Sequence, residues 1–317
     1  MRTPLPILTG VFALALMVVS QASADWPGFR GNPQLTGVAV SPLTDSPKLL
    51  WTYQTSQSIE STAAIVGSRA YVGSIDSLLH AVDIASGERI WVYQATDAIK
   101  SSPLVSSGVI YFGDETGVFH AVDAITGERV WTYETEGAVT SSAVRVGDRV
   151  LFGSYDNRLY CVDATGGSEA WKLETDGYVH AAPTALGDTA VVVSGCDAYL
   201  RLVDVASGSE IRRIEAGAYV ASSLAVSGTS GYVGTFGNVV LGVDLAAGAI
   251  VWEYESPDRQ QPYYASAAVS DGVVVIGGRD RVVHAVNARD GSVRWTHPAG
   301  ARVDASPVIY KNDTGDG

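Results

Sequence analysis

The stretch SSPLVSSGVIYFGDETGVFHAVDAITGERVWTYETEGAVT, residues Ser101–Thr140, decides the architecture. It divides into four short runs: Ser102–Val105, Val109–Gly113, Val118–Asp123 and Arg129–Thr135. Ser107-Gly108, Thr116-Gly117 and Thr126-Gly127 separate them, and such residues supply turn conformations. Short runs with turn signals every eight to twelve residues or so predict antiparallel β-strands.

The stretch recurs along the chain. Trp51, Trp91, Trp131 and Trp171 stand 40 residues apart; Trp252 follows after 81, with Arg212 in the skipped position, and Trp295 after a further 43. Asp83, Asp123, Asp163, Asp204, Asp244 and Asn287 each lie eight residues before a Trp position. A glycine follows four residues after each of them, from Gly87 and Gly127 to Gly291. Two markers in phase establish an internal repeat.

Four strands in a unit of about 40 residues make a β-propeller blade. The predicted fold is all-β, with six complete blades from Ser61 to Asp304. A further blade is partial: Lys48–Thr55 reads as a fourth strand and Ala305–Tyr310 as a first, with no second or third. The sequence thus predicts an open ring with two unpartnered edges, and a chain truncated by at least two strands. One sheet cannot bury both faces alone, so the Trp series is assigned to packing between blades.

Composition supports a large core, with 46% hydrophobic residues in 317. Lys and Arg number 21 against 34 Asp and Glu, a net charge of −13. An acidic chain without a basic cluster argues against nucleic acid as a partner.

Residues Met1–Ala24 carry Arg2, an apolar run around Val11–Val19 and then Ala22-Ser23-Ala24. That pattern predicts a secretory signal with Asp25 as the mature start. The apolar run is short of the roughly 20 residues of a span. No membrane span is expected, and localisation is periplasmic or secreted. Residues 25–47, rich in Pro and Gly, read as an irregular segment over the propeller, and 48–317 as the propeller domain. Cys161 and Cys196 occupy different positions of neighbouring blades, which predicts free thiols.

Candidate binding residues come from the loops ahead of each first strand, which lines the channel of a propeller. Glu60, Lys100, Thr140, His180 and Asp304 hold matching positions there and vary in charge while their neighbours stay alike. Tyr178 and Tyr219 lie close by in sequence. The longest connection, Glu255–Tyr264, adds Arg259, Tyr263 and Tyr264 on the same face. Arg259 can pair with anions and the tyrosines offer stacking area. A protein or small polar ligand is the expected partner at this mouth. His80, His120 and His284 share one repeat position, too far apart for one metal, and are assigned to structure.

The core from Gly113 to Trp131, repeated at Gly73–Trp91, Gly153–Trp171 and Gly277–Trp295, resembles the pyrroloquinoline-quinone-like β-propeller repeat. The opening Asp25-Trp26-Pro27-Gly28-Phe29-Arg30-Gly31 is similar to that of secreted bacterial members, which are mostly eight-bladed. The resemblance implies one of several roles, since the fold hosts unrelated jobs. The first reading is an exported, non-catalytic binding module. A quinone-dependent dehydrogenase is the alternative, and an outer-membrane protein assembly scaffold a third. The dehydrogenases of the family hold pyrroloquinoline quinone with calcium, often beside a pair of adjacent cysteines. No Cys-Cys pair exists here and the repeats carry no large insertions, so no catalytic residue, metal ligand or cofactor is assigned. The absence of a cysteine near the predicted cleavage site weakens the scaffold reading.

Overall fold

The computed structural model describes residues 25–41, 46–257 and 260–310. The signal sequence expected over Met1–Ala24 and the candidate Arg259 lie outside the described residues. Six four-stranded antiparallel sheets follow one another in chain order, each a simple meander. In the second blade the strands are Leu104–Ser106, Val109–Gly113, Val118–Asp123 and Arg129–Glu134, close to the sequence reading. All six blades slip register between third and outer strand, as at Ala121/Val122. Such a bulge bends the strand and raises its twist.

The core lies between blades. Ile110, Phe112 and Val122 of the second blade pack against Tyr71, Leu79 and Ala81 of the first, and the same arrangement repeats down to the sixth. Tryptophans close four of these five seams from the outside. Trp91 Nε1 donates to the Ile125 carbonyl of the following blade at 3.1 Å, and Trp131 to Ala164 at 3.2 Å. The Trp91 ring lies so close over Gly127 that an added Cβ would stand 2.6 Å from it. Gly127 also has φ +74, so glycine alone suits both demands. Arg212 fills the skipped position in kind, donating to the Ala247 carbonyl at 2.7 Å with its stem over Gly248.

The repeated histidines lock three seams: His80 against the incomplete blade, His120 between the first and second blades, and His284 between the fifth and sixth. Tyr93 Oη lies 3.1 Å from His120 Nδ1, and His120 Nε2 lies 3.0 Å from Asp114. Tyr53, His80 and Asp76 repeat the arrangement. The neutral tautomer fits, accepting from the phenol and donating to the carboxylate. Among the described residues no group of three or more His, Cys, Asp or Glu could hold a metal. Cys161 and Cys196 are free thiols, and burial pushes Cys161 up to about 12.

The incomplete blade differs from expectation in two respects. Lys48–Thr55 forms no ladder, because among the described residues no third strand lies beside it to pair with. Its side chains nevertheless take the outer-strand positions: Trp51 donates to the Ile84 carbonyl and Tyr53 meets His80. At the other edge, Ile309–Tyr310 is not unpartnered, since it pairs in parallel with Val38–Ala39. The far side of the sixth blade stays open, and Trp295 is 48% exposed.

That parallel partner belongs to a strap. Residues 26–37 cross the inner strands from one end of the array to the other. The carbonyls of Pro27, Pro33, Gln34, Thr36 and Gly37 accept from the backbone N–H of Val105, Ala185, Val226, Val269 and Ile309. Trp26 pairs with Ile65 in the first blade. Arg30 fastens the far end, donating to the Ala267 carbonyl at 2.9 Å and to that of Pro307.

Candidate functional site

The inner strands enclose a polar axial cavity of about 690 Å³. Trp26, Phe29 and Arg30 of the strap line its inner end. Glu60, Lys100, Thr140, His180, Tyr264 and Asp304 form its mouth. These six hold one repeat position, and the seventh is Ala221 of the fifth blade. The structure therefore brings together most of the residues singled out from the sequence.

Lys100, His180, Tyr264 and Asp304 at the mouth have defined partners. Lys100 Nζ lies 2.9 Å from Glu115 Oε2, and this contact raises the Lys100 pKa. Arg279 forks onto both oxygens of Asp304, at 2.8 and 3.3 Å. That pairing raises the guanidinium pKa in turn. His180 Nδ1 meets Tyr155 Oη at 2.7 Å, and its Nε2 meets Tyr264 Oη at 3.3 Å. Burial lowers the His180 pKa, so the neutral ring is favoured. Neutral His180 donates through one ring nitrogen and accepts at the other, so the two tyrosine hydroxyls play opposite roles toward it.

Aromatic rings extend this set along one side of the mouth. Tyr178 stacks on Tyr155 with centroids 5.0 Å apart. Phe236 meets Tyr264 edge-on, and Arg279 lies 4.8 Å over the Tyr264 ring. Tyr178 and Tyr219 are both exposed, and neither is part of the cavity wall.

Tyr263 is not a mouth residue. It is 1% exposed and packs among Tyr232, Trp252 and Ile276 between the fifth and sixth blades. Neighbouring residues of an extended chain face opposite ways, so Tyr264 at the mouth puts Tyr263 in the core. Position counting separates the two, because Tyr264 and not Tyr263 stands 40 residues before Asp304. Sequence reading also missed a tier below the mouth. Thr62, Ser102, Ser142, Ser223, Ser266 and Ser306 repeat two residues beyond the mouth position, a signal present in the same period.

The donor set does not fit a quinone held with calcium. Calcium takes about six to eight oxygen ligands, several of them carboxylates. Here Glu115 and Asp304 are each engaged by a cation, and Glu60 stands in the loop ahead of the first blade's inner strand.

Fold and cavity define a class: a β-propeller of pyrroloquinoline-quinone-like repeats with an axial cavity. Within it, the chain belongs to the family described as "Outer membrane protein assembly factor BamB", whose profile matches residues 38–145, 135–263 and 240–314. A similar solved structure is the crystal structure of BamB from Moraxella catarrhalis, with a TM-score of 0.74 at 18% identity. The match covers 86% of this chain and 91% of that chain. At that identity the likeness is one of fold. No curated protein matches the sequence. Among the described residues no helix is long and apolar enough to cross a membrane.

Proposed function

We propose that this protein is an exported, non-catalytic β-propeller that docks a protein partner at its channel mouth, as an assembly factor of the outer membrane. One observation supports this above others. The mouth joins partly exposed aromatic rings to charges that are already oriented, with Tyr264 held between His180 and Arg279. Tyrosines and arginines are among the groups that dominate protein interfaces. The family assignment points the same way. Export over a signal ending at Ala24, into the periplasm or beyond, belongs to the same reading, and amino-terminal sequencing of the secreted chain should begin at Asp25.

The test is copurification with outer-membrane assembly components, using wild-type protein and a mouth variant. Lys100→Ala, His180→Ala and Tyr264→Ala together should abolish copurification while leaving the melting temperature within a few degrees. Glu88→Lys with Glu128→Lys, on the opposite face, should leave it intact. Equal capture by wild type and mouth variant would sink the proposal. So would turnover in a dye-linked alcohol oxidation assay with added quinone and calcium.

A further inference from the structure

Below the mouth lies a tier of hydroxyl groups with an unusual wiring. Backbone N–H groups of one inner strand donate to the side-chain oxygen of the next. Thr62 donates to Ser102 Oγ at 2.9 Å and Ser102 to Ser142 Oγ at 3.0 Å. On the other side of Ala182 the chain resumes, with Ala182 donating to Ser223 Oγ, Ser223 to Ser266 Oγ and Ser266 to Ser306 Oγ. Each serine oxygen is thus used as an acceptor. Among the described residues none of these five hydroxyls donates to a protein acceptor. All five line the cavity. A hydroxyl that already accepts an N–H is polarised into a stronger donor.

Arg30 stands beside this tier. Its guanidinium donates to the carbonyls of Ala267 and Pro307, the residues that follow Ser266 and Ser306. It is 3% exposed and lines the cavity. Among the described residues it forms no ion pair, and its Nε has no hydrogen-bond partner. Gly37 makes room for it, since a Cβ there would stand 1.9 Å from Nη2. Burying an unpaired charge is costly. Fastening two carbonyls does not require one, because a neutral amide could donate to both. The charge itself is therefore unexplained by the strap.

We propose that Arg30, Ser266 and Ser306 form a carboxylate-binding site on the cavity wall. Guanidinium N–H groups not used by the two carbonyls offer a fork that matches a planar carboxylate. The polarised Ser266 and Ser306 hydroxyls supply further donors to the same group. The cavity volume is that of a small-molecule site and exceeds what a lone carboxylate fills. The carboxylate then belongs to a small organic acid or to the free C-terminus of a peptide. The site lies inward of the mouth and does not depend on protein docking there.

The test is calorimetric titration of the full chain at low ionic strength with citrate, with the tripeptide Ala-Ala-Ala, and with its C-terminal amide. At least one free acid should bind one-to-one with a Kd below about 10 mM, and the amide at least about tenfold more weakly than the free tripeptide if that peptide binds. Binding of citrate alone assigns the site to a small acid, and of the tripeptide alone to a chain terminus. The Arg30 Nε–H resonance should shift on saturation. Ser266→Ala with Ser306→Ala should weaken binding about tenfold, and Arg30→Lys, which keeps charge but loses the fork, by a similar factor. Thermal melts check that each variant remains folded. No Arg30 resonance shift in the wild-type protein with any free acid overturns the proposal whether or not the variants fold. Binding that survives all three substitutions unchanged also overturns it.

Discussion

The Tyr264 hydroxyl reaches His180 Nε2 at 3.3 Å across a separation of 84 residues. The contact spans the fifth blade, whose own mouth position is the small Ala221. A larger side chain at Ala221 should force the two rings apart. Tyr264→Ala should open His180 to water, and its pKa should rise toward the ordinary 6.5 from which burial lowers it. Titration of the imidazole by NMR reads this directly, and an unchanged value would contradict the assigned cause. The sign also sets a stability trend. A buried neutral histidine takes its proton more readily when unfolded, so its stabilising effect declines as pH falls through 6.5.

The Trp positions should respond according to what covers them. Trp131 is 8% exposed in a complete seam, and Trp131→Ala should cost about 3–5 kcal/mol in urea unfolding. Trp295 holds the same repeat position at 48% exposure, and Trp295→Ser should change stability by about 0.5 kcal/mol or less. A large loss at Trp295 would mean that the open side of the sixth blade is covered in solution.

Acid should loosen the seams before it melts the strands. Desolvation works to raise the Asp114 pKa, but hydrogen bonds from His120, Val118 and Thr116 outweigh it and hold the carboxyl below 3.8. Asp76 is held down in the same way by Ser74, Ser56, His80 and Leu78 against desolvation. Groups lowered on folding stabilise above their unfolded value and lose that effect as pH falls through the folded one. The contribution of these two should be constant above about pH 5 and fade below pH 4. Asp114→Asn should flatten the acid limb of the urea midpoint and lower stability at neutral pH by about 1–3 kcal/mol.

Arg30→Ala should act at a distance in sequence. Loss of its two bonds frees the strap from Ala267 and Pro307. Amide exchange should quicken over 265–310 and stay unchanged in the second and third blades. Uniform acceleration would show that the strap secures the whole array and not its far end.

The blades were legible because packing demands side chains of fixed type. A large ring over a glycine, with an Asp to turn the chain, must recur wherever a seam recurs, and Trp131 with Gly167 shows it as Trp91 with Gly127 does. The mouth was legible by position, although composition alone misplaced Tyr263, whose ring and hydroxyl suit a surface as well as a core. The strap was not legible in detail. Its bonds run through backbone carbonyls of residues such as Pro33 and Gln34, and backbone groups carry no signature in sequence. Arg30 gave no sign of its role because its partners are carbonyls too.

The strap also fixes an order of events. Its residues precede all six blades in the chain, yet Arg30 finds a partner 277 residues later at Pro307. Closing so long a loop between unfolded segments is entropically unfavourable, whereas blades can stack neighbour on neighbour. The portion that precedes the blades is accordingly the portion seated last. Until then the channel is open at both ends, and the inner end of the cavity exists only in the finished molecule.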